Sequence, residues 1–89
     1  MQKRFLIIEN GIRLLGFPLE LTPTETRLLS AIAENERMSV DELALLLNEG
    51  VKRGNVAVHI NAINRKAEAI SHRKLVVFTK NAYEINKYM

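Results

Sequence analysis

Two capping boxes fix where two helices begin in this chain of 89 residues. In the first box Thr22 is followed by Pro23 and Glu25, and in the second Ser39 is followed three residues later by Glu42. A hydroxyl and a carboxylate at this spacing satisfy each other's free backbone N–H groups at the start of a helix, and proline is favoured at the first helical position. We predict a first helix over about 23–35. A second should begin near residue 40 and end at 48–50.

An apolar stripe at helical spacing indicates a third helix, which we predict over about 55–70. The members of the stripe are Val56, Ile60, Ile63, Ala67 and Ile70. A short connection from Gly50 to Gly54 separates it from the second helix, as in a helix-turn-helix. The second and third helices are therefore expected to pack as such a pair.

Strand signals precede the helices. Apolar runs at 5–8 and 12–15 flank Asn10-Gly11, a dipeptide that readily adopts the positive φ angles of a hairpin turn. We predict a further turn at 16–18 and a short third strand at 19–21. These segments would form a small antiparallel sheet.

A hairpin follows the helices, with predicted strands at 75–78 and 83–85 joined by a turn at 79–82. A helix-turn-helix followed by a β-hairpin is a winged helix. The predicted fold is therefore α+β: a winged helix-turn-helix in a single domain, residues 1–89. Its parts are an N-terminal sheet (1–21), three helices (22–74) and a wing hairpin (75–89).

Charge is divided unevenly along the chain, whose formal net charge is +3. Residues 1–51 contain five Lys or Arg and eight Asp or Glu, whereas residues 52–89 contain eight Lys or Arg and two Asp or Glu. A basic C-terminal part favours an anionic partner, and nucleic acid is the commonest large one. A basic face that contacts only solvent is the alternative interpretation.

Several function classes lack the residues they need. There is no cysteine, so we expect no disulfide framework and a cytoplasmic location. His59 and His72 have no third ligand at metal spacing, so no metal or other cofactor is expected. Asp41 and Glu42 are explained by the dipole at the start of the second helix, and no enzymatic activity is expected. No apolar run approaches the roughly 20 residues of a membrane span.

Four segments in order resemble the winged-helix effector domain of OmpR/PhoB-type bacterial response regulators. Residues 21–25, followed by two leucines, are similar to the "LTPTE..LL" opening of that family's first helix. Residues 38–43 resemble the "vSreeL" start of its second helix, and residues 55–66 its "tVdvHI..LRrKl" recognition helix. Tyr83 stands where the wing aromatic lies. The resemblance implies a bacterial transcription regulator that binds double-stranded DNA, with the third helix in the major groove and the wing near Lys80 on the backbone or minor groove.

The chain departs from the family pattern in its arginines. The wing arginine is absent from its place, although Lys80 is adjacent and Asn81 replaces a turn glycine. Positions 61, 62 and 64, where the family commonly has arginine, hold Asn, Ala and Asn. No receiver domain accompanies this segment, so the chain is a stand-alone domain or a fragment of a longer regulator.

Candidate DNA contacts follow from side-chain chemistry. Asn61 can pair with adenine, and Val58 or Ala62 can pack on a thymine methyl group. Arg65 and Lys66 are placed for phosphate or, less favourably, for guanine, and the other cations for the backbone. The full predicted set is Lys52, Arg53, Asn55, Val58, His59, Asn61, Ala62, Arg65, Lys66, Lys80 and Asn81.

Protein binding is the competing interpretation. A winged helix poor in arginine can present Val58 and Ala62 to a protein partner in place of DNA. RNA polymerase and a second copy of the chain are the candidate protein partners, and no membrane partner is expected.

Overall fold

The computed structural model describes residues 6–8, 11–47 and 53–86 of the chain. The described residues form three helices and two small antiparallel sheets, which confirms the predicted α+β architecture. The first sheet contains three two-residue strands in sequence order: β1 (Leu6–Ile7), β2 (Arg13–Leu14) and β3 (Phe17–Pro18).

The third strand of this sheet lies earlier than predicted. Leu15 and Gly16 form a two-residue turn with φ angles of 52° and 84°. Two positive φ angles match the twist of the flanking strands, so the chain reverses at once and pairing resumes at Phe17. The strand predicted at 19–21 is not formed, and Leu19 instead lies in the core, 5% exposed.

Helix α1 (Pro23–Asn35) begins and ends where the sequence predicts. Its capping box is formed, since the Glu25 N–H donates to Thr22 Oγ1 at 3.2 Å and the Thr22 N–H donates to Glu25 Oε1 at 3.0 Å. The inner face of α1 is buried and comprises Glu25, Leu28, Leu29, Ile32 and Ala33.

A strand that the sequence analysis missed follows α1. Strand β4 (Arg37–Ser39) comes directly after Glu36, which has a φ angle of 65°. Helix α2 (Val40–Leu47) then begins without a loop, and its predicted capping box is formed. The Ser39 N–H donates to Glu42 Oε1 at 2.9 Å, and the Glu42 N–H donates to Ser39 Oγ at 3.1 Å. The predicted end of α2 at 48–50 lies outside the described residues.

Helix α3 (Arg53–Ser71) starts slightly before the predicted residue 55. Val56, Ile60, Ile63 and Ala67 are each no more than 2% exposed. The fifth member of the predicted stripe, at position 70, is half-buried at the edge of the core. Since α3 packs against both α1 and α2, this stripe is its inner face.

The second sheet contains the predicted hairpin. Strands β5 (Val76–Thr79) and β6 (Ala82–Ile85) each lie within one residue of the prediction. Lys80 and Asn81 form the turn, with φ angles of 50° and 64°, so Asn81 takes a left-handed conformation in the place of a glycine. The strand order is β4-β6-β5, and we call β5, β6 and their turn the wing.

One hydrophobic cluster joins the helices and both sheets. Burial of each large aliphatic side chain in this cluster stabilises the fold by about 1.5–3 kcal/mol. The buried residues of α3 therefore fix its rotation about the helix axis. The buried members are Leu6, Leu14, Leu19, Leu28, Leu29, Ile32, Ala33, Leu43, Val56, Ile60, Ile63, Ala67, Leu75, Val76 and Ile85.

Candidate nucleic-acid interface

The side of α3 opposite the core is open to solvent. Asn55, Val58, Asn61 and Arg65 are exposed there, and Ala62 is half-buried among them. Their three- and four-residue spacing aligns them along one side of the helix. We call these five residues the outer face of α3. Val58 is 63% exposed, so the outer face offers apolar as well as hydrogen-bonding groups.

The other predicted contact residues do not form one group with this face. His59 is half-buried on α3. Arg53 is the first residue of α3, and Lys52 lies outside the described residues. Lys80 and Asn81 are exposed at the tip of the wing. The structure therefore separates the predicted residues into a helix group and a wing-tip group.

Lys66 differs from the rest because it faces α1. Its Nζ donates to Glu25 Oε1 at 2.6 Å, and Glu25 is only 4% exposed. No sequence pattern predicts this ion pair, because the two residues are 41 positions apart in the chain. The contact between Lys66 and DNA stays a prediction.

Glu25 is a buried acid that its neighbours keep charged. Burial acts to raise its pKa, but hydrogen bonds from Lys66 and from the Thr22 N–H, together with attraction from the charges of Lys66 and His59, hold the pKa of Glu25 below its ordinary value of 4.5. The ionised carboxylate thus caps α1 and ties it to α3 at the same time.

Asn64 connects α3 to the wing. Its Nδ2 donates to Val76 O at 2.8 Å, and the Val76 N–H donates to its Oδ1 at 2.8 Å. Asn64 is 6% exposed, so these bonds are shielded from water. In the sequence, Asn64 was noted only because it occupies a position where the family commonly has arginine. Its spacing from Ile60 and Ala67 was the signal that it borders the buried stripe.

Arg37 connects β4 to the tip of the wing. Its Nη2 donates to Thr79 O and, at 3.3 Å, to Lys80 O. Its Nε lies 3.5 Å from Glu84 Oε2. The sequence offered no signal for this cluster, because it depends on a strand pairing between distant segments.

An open groove of about 370 Å³ separates α3 from the wing. Polar side chains at positions 61, 64 and 74 line it together with Phe78 and Tyr83. The rings of Phe78 and Tyr83 pack at an angle of 60° with centroids 4.9 Å apart, and Phe78 is 53% exposed. The groove has an aromatic wall on the wing side and an amide wall on the helix side.

Two negative findings apply to the described residues. No group of three or more His, Cys, Asp or Glu side chains there could hold a metal ion. No helix in that part of the chain is long and apolar enough to cross a membrane.

Comparison with solved structures identifies the fold. The crystal structure of the DNA-binding domain of response regulator AdeR, in complex with an intercistronic region, matches with a TM-score of 0.84. The match covers 97% of this chain and 98% of that chain. The fold is a winged helix. Sequence identity to AdeR is 16%, so the likeness is one of structure. No family model matches the sequence, and no curated protein is similar to it.

Proposed function

We propose that this chain is the DNA-binding domain of a bacterial transcription regulator and recognises duplex DNA by sequence. The outer face of α3 carries the proposal. It presents amide, guanidinium and apolar groups on a helix whose other side is fixed in the core. A helix of this kind fits the major groove of B-DNA, which is about 12 Å wide. The likeness in fold to a domain bound to DNA in its crystal structure supports the proposal.

Four of the five residues of the outer face have a chemical role in this proposal. Asn61 pairs with adenine through its amide, and Val58 and Ala62 pack on thymine methyl groups. Arg65 contacts phosphate or guanine, and Asn55 lies at the end of the row, near the start of the helix. These contacts read sequence, because base edges differ in their hydrogen-bonding pattern.

Contacts to the DNA backbone would surround this row. Lys52 and Arg53 precede Asn55 in the sequence. His59 borders the outer face, and Lys80 and Asn81 lie at the wing tip. Cations at these places neutralise phosphates and release counterions, which gives affinity independent of sequence. Lys66 would contact a phosphate either in addition to its bond to Glu25 or in exchange for that bond.

A protein-binding module is the second candidate function. The observation in its favour is Val58, an aliphatic side chain that is 63% exposed on an outer face with a single arginine. RNA polymerase and a second copy of the chain are the candidate partners, and neither is required for the DNA contacts argued above.

Binding to a labelled random-sequence duplex at low salt, followed by fluorescence anisotropy, separates the two functions. We expect saturable binding that Arg65→Gln weakens. Arg27→Gln is the matched control, because Arg27 is an exposed arginine on α1 that donates to Leu46 O. It should leave affinity unchanged. Absence of binding to any duplex would support the protein-binding module.

A further inference from the structure

The tip of the wing carries two cations, although only one of them belongs to the hairpin. Lys80 lies in the turn itself. Arg37 reaches the turn from β4, where it is paired with Glu84 of β6. Its side chain extends along the sheet, and its Nη2 binds the carbonyl oxygens of Thr79 and Lys80. The guanidinium is therefore fixed at the place where the wing would meet a ligand.

The hydrogen bonds of Arg37 leave part of its guanidinium available. A guanidinium has five N–H groups. Within the described part of the chain, Nη2 donates to the two turn carbonyls and Nε faces Glu84. The two N–H groups of Nη1 take no part in these contacts. The Arg37 side chain as a whole is 39% exposed, so part of it is open to a ligand.

Charge at this site favours an anion. Glu84 offsets part of the charge of Arg37, but its side chain is only 15% exposed and lies on the Nε side. Lys80 is exposed at the same turn. A phosphate oxygen near the tip would meet Nη1 of Arg37 and the ammonium group of Lys80. A guanidinium held rigid before binding loses less side-chain entropy when it binds.

We propose that Arg37 is a DNA-backbone contact of the wing and supplies the guanidinium that residues 79–83 lack. This inference rests on the proposed function, since it assigns a further contact to the same duplex. The contact is to phosphate, so Arg37 should add affinity without sequence preference. Because β4 pairs with β6, it delivers a charged side chain to the tip of the wing.

Three variants test the role of Arg37 through the salt dependence of duplex binding. Arg37→Gln removes the charge, and Arg37→Lys keeps a charge but cannot hold both carbonyls and Glu84. Arg13→Gln is the matched control, because Arg13 is an exposed arginine that also donates to a turn carbonyl, Gly16 O at 3.3 Å. All three are surface changes, and thermal melts establish that each variant is folded.

We expect Arg37→Gln to make the slope of log affinity against log salt shallower by about 0.9, the value for one phosphate contact. The ratio of wild-type to variant affinity should then shrink about 3.5-fold between 50 and 200 mM salt. Arg37→Lys should keep most of the slope, and Arg13→Gln all of it. The double variant Arg37→Gln/Lys80→Ala should have a shallower slope than either single variant, because the two cations are separate contacts.

Three outcomes would overturn the inference while the proposed function stands, provided that the wild-type chain binds duplex. One is a wild-type slope for Arg37→Gln. Another is an equal loss of slope for Arg37→Lys and Arg37→Gln, which would mean that Arg37 only stabilises the turn through its hydrogen bonds. The last is no additional loss in the Lys80→Ala background. A wild-type chain that binds no duplex overturns both proposals together.

Discussion

At the scale of single residues, Asn64 shows how one amide can position two elements. Its two hydrogen bonds to Val76 occupy the outward-facing N–H and C=O of β5, an edge strand. A buried amide can thus replace a neighbouring strand at this point. The wing is held at a fixed distance from α3, and Val76 itself is buried in the core.

Replacement of Asn64 by alanine should destabilise the protein by about 2–4 kcal/mol, because it leaves the N–H and C=O of Val76 without partners. Asn61→Ala is the matched control, since Asn61 is exposed one turn earlier, and it should change the free energy of unfolding by less than about 0.5 kcal/mol. Urea unfolding of the two variants is the measurement. Equal stabilities would show that water replaces the Asn64 amide without loss.

Glu25 should make stability depend on pH. Its folded-state pKa is lowered from 4.5, so its contribution to stability is fully present above that value and is lost as the pH falls through the folded pKa. Glu25→Gln should therefore be less stable than wild type at pH 7, and the gap should narrow at about pH 3.

Glu34→Gln is the control for this comparison, because Glu34 is exposed on the same helix. Urea unfolding of the wild type, Glu25→Gln and Glu34→Gln at both pH values gives the free energies. A gap between wild type and Glu25→Gln that stays constant with pH would contradict the assigned role of the ion pair with Lys66.

At the scale of elements, the two-residue turns at 15–16 and 80–81 share one geometry but differ in their residues. Leu15-Gly16 and Lys80-Asn81 each have two positive φ angles. Asparagine and glycine adopt this conformation at low cost, whereas other residues lose about 1–2 kcal/mol in it. Leu15 is thus poorly suited to its position, and it is also 45% exposed.

Leu15→Asn should stabilise the protein by about 0.5–1 kcal/mol, because Asn-Gly is the preferred pair for a two-residue hairpin turn. Leu15→Ala removes the same exposed side chain without improving the turn, and it should give no such gain. Thermal unfolding of both variants is the check. A lower melting temperature for Leu15→Asn would show that Leu15 makes contacts that outweigh its backbone strain.

Helix and wing should divide recognition between them. Asn61→Ala should cost about 1–3 kcal/mol on a preferred sequence and little on random DNA, because a bidentate base contact is lost. Lys80→Ala should weaken binding to all duplexes alike and lower the salt slope by about one, because a lysine is a mobile point charge. Binding-site selection with each variant measures this. A changed selected sequence for Lys80→Ala, with that of Asn61→Ala intact, would reverse the two roles.

At the scale of the whole molecule, the acidic and basic parts of the sequence form different elements of the fold. The acidic part, residues 1–51, supplies the first sheet, α1, β4 and α2, whereas the basic part, residues 52–89, supplies α3 and the wing. Arg37 is an exception, since it belongs to the acidic part but its guanidinium lies at the wing tip. The positive charge is thus concentrated on the elements that would meet DNA.

This distribution predicts a strong salt dependence of duplex binding. If about four to six phosphates are contacted, log affinity should fall with log salt at a slope of about −4 to −5. Anisotropy titrations over a range of salt concentrations provide the slope. A slope near zero would mean that charge on α3 and the wing does not face the duplex.

The features that could be predicted correctly from the sequence depend on interactions between neighbouring residues. The ends of α1, the capping boxes of Thr22 and Ser39, and the inner stripe of α3 depend on residues three or four positions apart. Such neighbours meet in any helix, so their spacing predicts both the helix and the side that it buries. The outer face of α3 followed from the same periodicity, and the wing turn followed from Asn81.

Features that join distant segments of the chain could not be predicted from local sequence patterns. The partners of Asn64 and Lys66 are 12 and 41 residues away in the chain, and those of Arg37 are at least 42 residues away. Strand β4 is only three residues long, too short for its alternation to predict a strand, and it forms through its pairing with β6. A sequence pattern records the preferences of neighbouring residues, whereas these contacts arise only when burial of the core brings remote polar groups within hydrogen-bonding distance.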